Sequence, residues 1–177
     1  MWLSKFLTVE GISLCMHEGT EHAGSAEEFW SNANHFALGC HYYGNSDSAN
    51  IFVLQALLAE RPMTKVIWIE RPMSEVMESM KRARMAFHEQ CARTLIEMRD
   101  ANYALIDFVF KFEHLEHLEA CKAIWEICLP GLPFDYARWG IYNVQRICYT
   151  AENPSPEKNY SKFLPWAQAE VFSTINK

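Results

Sequence analysis

Hydrophobic and polar positions along this chain switch between the helical period and short, continuous apolar runs. Trp2, Leu3, Phe6 and Leu7 share one side of a short helix over residues 2–9, which Gly11 ends. Residues 12–16 read as a strand that delivers His17-Glu18 to its carboxyl end. After a polar loop at 19–24, Ser25 opens a helix through residue 32, with Glu28 in the capping-box position. Residues 36–43 read as a second strand, 44–48 as a turn rich in donors and acceptors, and 49–60 as a helix stopped by Pro62.

The segment 65–80 is the most informative. Val66-Ile67-Trp68-Ile69 is a buried-type strand ending in Glu70-Arg71, followed by Pro72 and a helix over about 74–86 that carries Ser79. In open α/β sheets ligands bind at the carboxyl ends of strands, and Arg there suits a planar grip on phosphate. Met73, Met77 and Met80 fall at i, i+4, i+7 and read as core packing. Further along, 88–99 is helical, 103–110 a strand, 114–128 an amphipathic helix broken by Pro130-Gly131-Leu132-Pro133, and 134–147 a last helix. Strands thus alternate with helices, the pattern of an α/β chain with a mostly parallel sheet flanked by helices.

Composition narrows the class. At 177 residues, half of them hydrophobic, the chain suffices for one domain, placed at 1–150, with a polar, Pro-containing and then aromatic tail at 151–177. A net charge of −6 argues against a nucleic-acid partner. No apolar run approaches a membrane span and no signal peptide is visible, so a cytoplasmic protein is expected. The six Cys form no CxxC and no zinc spacing, which favours buried free thiols and no metal.

A strand-end Arg, a nearby Pro and a Ser eight positions on resemble the 3′-phosphate segment of the P-loop sulfotransferases, roughly R-D-P-x-x-x-x-x-S in that family. Arg71 and Ser79 keep the spacing; Pro72 is displaced by one and the Asp is absent. Lys111-Phe112-Glu113-His114-Leu115 and Cys128-Leu129-Pro130-Gly131-Leu132-Pro133-Phe134 are similar to the family's Y-E-D-L strand end and F-L-G-L-P turn. Tyr43-Gly44-Asn45-Ser46-Asp47-Ser48 resembles its G-D-S-type loop in bacterial and phage proteins. The resemblance covers about residues 2–145. The family's G-x-x-R-S/T-G-S/T-S/T loop would end where Met1 stands, so the resemblance implies an N-terminally truncated P-loop NTPase/sulfotransferase-like fold, either a fragment or a loop-less variant.

The implied reaction moves a sulfuryl group from 3′-phosphoadenosine 5′-phosphosulfate to a hydroxyl or amine of a small-molecule or glycan acceptor. Arg71 and Ser79 would bind the donor's 3′-phosphate, and Glu18 or His17 would be the base, with His41 a lesser candidate. Asp47 and Ser48 would order the donor site or cap the helix at 49. Each has a plainer reading: Arg71 pairing with Glu70 or Glu75, Ser79 an ordinary helix serine, His17 and Glu18 solvated loop residues. His114 and His117 at i, i+3 read as an exposed face, and Lys81, Arg82 and Arg84 as a basic run that would attract an anionic donor or form a solvated helix face. Trp30, Tyr42, Tyr43, Trp139 and Tyr142 suit an acceptor pocket or the core. The rival functions are a nucleotide-binding domain without catalysis and a P-loop kinase-like phosphotransferase, the latter disfavoured because no G-x-x-x-x-G-K-S/T occurs. Oligomeric state is left open.

Overall fold

Two short parallel ladders carry the β structure of the computed structural model, which describes residues 2–82, 88–143 and 160–175. Ser13–His17 (β1) pairs with Tyr42–Ser46 (β2), Ser13 opposite Tyr42 and His17 opposite Ser46. Ile67–Glu70 (β3) pairs with Phe108–Lys111 (β4), Ile67 opposite Phe108 and Glu70 opposite Lys111. Parallel neighbours require a crossover. Ala26–Phe36 (α2) supplies it for the first pair; Met73–Arg82 (α4) and His88–Ala101 (α5) lie within the second. The chain is therefore mixed α/β with parallel strands, as expected. Among the described residues the strands form two two-stranded sheets rather than one.

Two-stranded sheets are marginal alone, so packing must hold these. Trp2–Leu7 (α1) and Leu118–Cys128 (α6) bury Phe6, Cys121, Ile124 and Trp125 in one cluster. Cys15 of β1 is buried with them, and Ile67, Ile69 and Phe110 of the other sheet pack against the same cluster. One core thus serves both ladders. Trp125, 1% exposed, is its largest side chain, and truncating such a residue to Ala costs about 3–5 kcal/mol.

A second cluster joins Phe29, Val53 and Leu57 to Phe163, Trp166 and Ala167 of Phe163–Ile175 (α8). The aromatic residues after 160 are thus divided: Phe163 and Trp166 pack on the domain, and Phe172 is 73% exposed. A third cluster sets Ile51 and Leu54 against Leu95 and Met98 of α5. Beside it the buried Asn102 accepts from Gln55 Nε2 at 3.0 Å and donates to the Met98 carbonyl at 2.9 Å, so its amide is satisfied. Leu54 opens the helix Leu54–Glu60 (α3).

Several boundaries differ from the expectations. The second strand is Tyr42–Ser46, because α2 runs on to Phe36 and Gly39, at φ 86°, turns the chain first. Phe36 and Leu38, read as strand residues, are exposed. Gly44-Asn45-Ser46, read as a turn, is the end of β2. The strand expected at 103–110 begins at Phe108, because α5 continues to Ala101 and Tyr103–Leu105 makes a 3-10 turn. The last expected helix is Tyr136–Tyr142 (α7), and residues 144–147 lie outside the described set. No described residue of α4 is buried. Of its three methionines, Met73 packs against a core cluster.

Candidate functional site

The register of β1 on β2 builds the first site. Because His17 stands opposite Ser46, the two carboxyl ends coincide and the residues after each strand meet. His17 Nδ1 lies 3.1 Å from the Ser46 carbonyl, an acceptor only, so Nδ1 carries the proton and donates it. In the neutral ring Nε2 is then the basic nitrogen. It stands 3.5 Å from Glu18 Oε1, and both side chains are roughly one-third exposed. Glu18 is in the left-handed region at φ 58°, ψ 34°, and it is the one non-glycine residue there among those described. Such conformations cost on the order of 1–3 kcal/mol and persist where surroundings over-determine them.

Those surroundings are a polar weave beneath the strand ends. Gly19 N donates to Asn45 Oδ1 at 2.9 Å. Asn45 Nδ2 donates to Asn50 Oδ1 at 2.9 Å. Thr20, fully buried, donates its hydroxyl to Asp47 Oδ2, and Asp47 Oδ1 accepts from Ala49 N at 2.8 Å. Asp47 is thus the cap of the 3-10 turn Ser48–Val53, the plainer of its two expected roles, and Ser48 is the first residue of that turn. Asn45, Asn50 and Thr20 were not visible as site residues, since Asn and Thr in a loop signal turns and caps in general.

The second site lies at the carboxyl ends of β3 and β4. Arg71 leaves β3 into a cleft of about 350 Å³ lined by Trp68, Glu70, Arg71, Arg99, Lys111 and Glu113, among others. Arg71 Nε donates to Glu75 Oε2 at 3.0 Å, one turn into α4, and the guanidinium stands 4.7 Å over the Phe112 ring. The Glu75 pairing is one of the plainer readings given above. Ser79 is half-buried on α4 and does not line this cleft, so the structure does not bring the expected pair together there. Lys81 and Arg82 are exposed, and Arg84 lies outside the described residues.

His41 precedes β2 and so lies at its amino end, roughly 16 Å along the strand from the His17 end. With Trp30, Tyr42, Tyr43 and Arg61 it lines a separate cleft of about 370 Å³. The expected acceptor aromatics are thereby divided, since Trp139 and Tyr142 pack against the cluster around Trp125. His114 and His117 are exposed, with ring centres 6.3 Å apart. Among the described residues no group of three His, Cys, Asp or Glu is placed to hold a metal. Burial raises the Cys15 thiol to about 12 and the Cys128 thiol to about 11, so both are inert neutral groups at ordinary pH.

No described helix is long and apolar enough to cross a membrane. Set against protein-family models, curated proteins and solved structures, the chain matches none.

Proposed function

We propose that this is a sulfotransferase-like protein of P-loop type, located in the cytoplasm, that transfers a sulfuryl group from 3′-phosphoadenosine 5′-phosphosulfate to a hydroxyl or amine of a small molecule or glycan. The observation that carries the reading is the pairing of a basic strand-end residue with an anion-suited one. His17 presents Nε2 beside Glu18 at one carboxyl end, and Arg71 opens into a cleft it shares with Arg99 and Lys111 at another. Parallel strands with ligand chemistry at their carboxyl ends are the setting in which α/β proteins bind nucleotides.

In this reading His17 Nε2 takes the proton of the acceptor hydroxyl or amine as that atom attacks sulfur. The bond from sulfur to the bridging phosphate oxygen breaks, and 3′-phosphoadenosine 5′-phosphate leaves with its electron pair. The Glu18 carboxylate stabilises the imidazolium that forms, and the Ser46 carbonyl keeps the ring in the tautomer that can accept. Arg71 holds the 3′-phosphate without Ser79, which does not line its cleft, and Ser48 is a donor near the β2 end. Asp47 orders that end, both its oxygens being engaged.

A second reading, nucleotide binding without transfer, rests on the glycines. The seven are scattered, and none forms the Gly-rich cradle that a 5′-phosphosulfate calls for. Titration calorimetry with 3′-phosphoadenosine 5′-phosphate on wild type and Arg71→Ala tests what the two readings share. Loss of the Arg71 contact should weaken binding by about 1.5–3 kcal/mol. Equal affinity in the two proteins removes Arg71 from the site. Transfer of labelled sulfate to a phenol panel then separates enzyme from binder.

A further inference from the structure

Arg71 is not alone in its cleft. Arg99 reaches the same place from α5, where its Nη1 lies 3.5 Å from Glu70 Oε1 and its Nε donates to Asp100 Oδ1 at 2.6 Å. Lys111, opposite Glu70 in the β3–β4 register, ends the neighbouring strand and lines the cleft too. The opposing wall is apolar: Trp68, Met73, Leu95 and Ile96. The Trp68 indole nitrogen is buried without a hydrogen-bond partner among the described residues. Three cations thus line one cleft beside an aromatic ring, together with the carboxylates of Glu70 and Glu113.

Two of the cations are held by carboxylates of the protein itself. Glu75 takes Arg71 through Nε alone, so the Nη edge of the guanidinium can still meet a forked acceptor. The Glu75 side of the Arg71–Glu75 pair is exposed, which keeps the pair weak, so a dianion can replace the carboxylate at little cost.

We propose that Arg99 and Lys111 complete, with Arg71, a binding cleft for a phosphate monoester carried on a flat apolar body such as a nucleoside, and that Glu75 is an internal counter-ion which the phosphate displaces. This rests on the donor-binding role of Arg71 given above and extends it to the residues that supply most of the charge. Arg99 sits on a helix face without any motif, so only the packing of α5 against the strand end discloses it.

Calorimetry on the intact chain tests the proposal, with 3′-phosphoadenosine 5′-phosphate as probe and inorganic phosphate and adenosine as separate arms. The bisphosphate should bind, and both Arg99→Gln and Lys111→Ala should weaken it about tenfold or more. Glu75→Gln should tighten it, because the competing carboxylate is gone. Inorganic phosphate should bind more weakly than the nucleotide, with the same dependence on Arg99. Thermal melting checks that each variant is folded, and Arg99→Lys replaces Arg99→Gln if that variant is not. If Arg71→Ala weakens binding while Arg99 and Lys111 variants bind like wild type, the three-cation cleft is overturned and the role of Arg71 survives. If inorganic phosphate binds as tightly as the nucleotide, the apolar wall has no part and the assigned ligand class is wrong. If the wild type binds none of the probes, the donor-binding reading fails and this inference with it.

Discussion

The two pairs of strand ends are built in opposite ways. Beneath His17 and Glu18 the groups are largely neutral and interlocked: Gly19, Thr20, Asn45, Asp47, Ala49 and Asn50 satisfy one another, with Thr20 fully buried. Around Arg71 the contacts are ion pairs on half-exposed side chains, to Glu75, Glu70 and Asp100. Such a half-buried weave around a buried Thr20 is costly to open, because each group left unpaired forfeits its desolvation. Exposed ion pairs are worth little and exchange partners readily. The first end is therefore suited to hold a base in a fixed tautomer. The second is suited to accept an incoming anion.

The sharpest break in that contrast is His17→Gln. If His17 is the base, transfer should fall by about a hundredfold to ten-thousandfold, while nucleotide affinity measured by calorimetry stays near wild type. A parallel fall in affinity would show that the two ends are not separate in function. Next in size is Thr20→Val, which deletes the hydroxyl that Asp47 accepts from. It should cost about 1–3 kcal/mol in denaturant unfolding, the penalty of an unsatisfied buried partner. Arg71→Ala, by contrast, should change stability by less than about 1 kcal/mol although it weakens ligand binding. A large loss of stability there would erase the distinction between a woven and an adaptable end.

The smallest effect concerns the contact of the α2 entry with the segment leading into α8. The hydrogen bond from Lys162 Nζ, first, and that from Gly24 N hold the Glu28 carboxyl below its ordinary value of 4.5. A carboxyl lowered by folding contributes stability above its unfolded value and loses it as pH falls through the lower folded value. The melting temperature of wild type should therefore exceed that of Glu28→Gln at pH 7, and the gap should close on acidification below about 4.5. A gap that persists at low pH would assign the effect to packing.

Some of this was legible along the chain. The Ser25 cap is present, with Ser25 Oγ accepting from Glu28 N at 3.1 Å, although the Glu28 carboxylate reaches back to Gly24 N in place of the cap residue. Arg71 does stand just past a strand end, because β-branched and aromatic residues followed by Pro leave few alternatives. The second strand was misplaced because 36–43 is apolar enough for either period, and only Gly39 at positive φ decides where α2 stops. Arg99 was invisible, since a charged residue on an amphipathic helix looks like any solvated face.

What the sequence alone determined is the order and kind of the elements and the presence of titratable residues at strand ends, because these depend on local period, caps and breakers. What only the tertiary structure decided is which residues meet. The parallel register sets His17 against Ser46, the shared core around Trp125 serves two separate ladders, and α5 brings Arg99 beside Arg71. Those are consequences of long-range packing, in which one residue of slip or one turn of helix would bring different side chains together, and no local pattern encodes that choice.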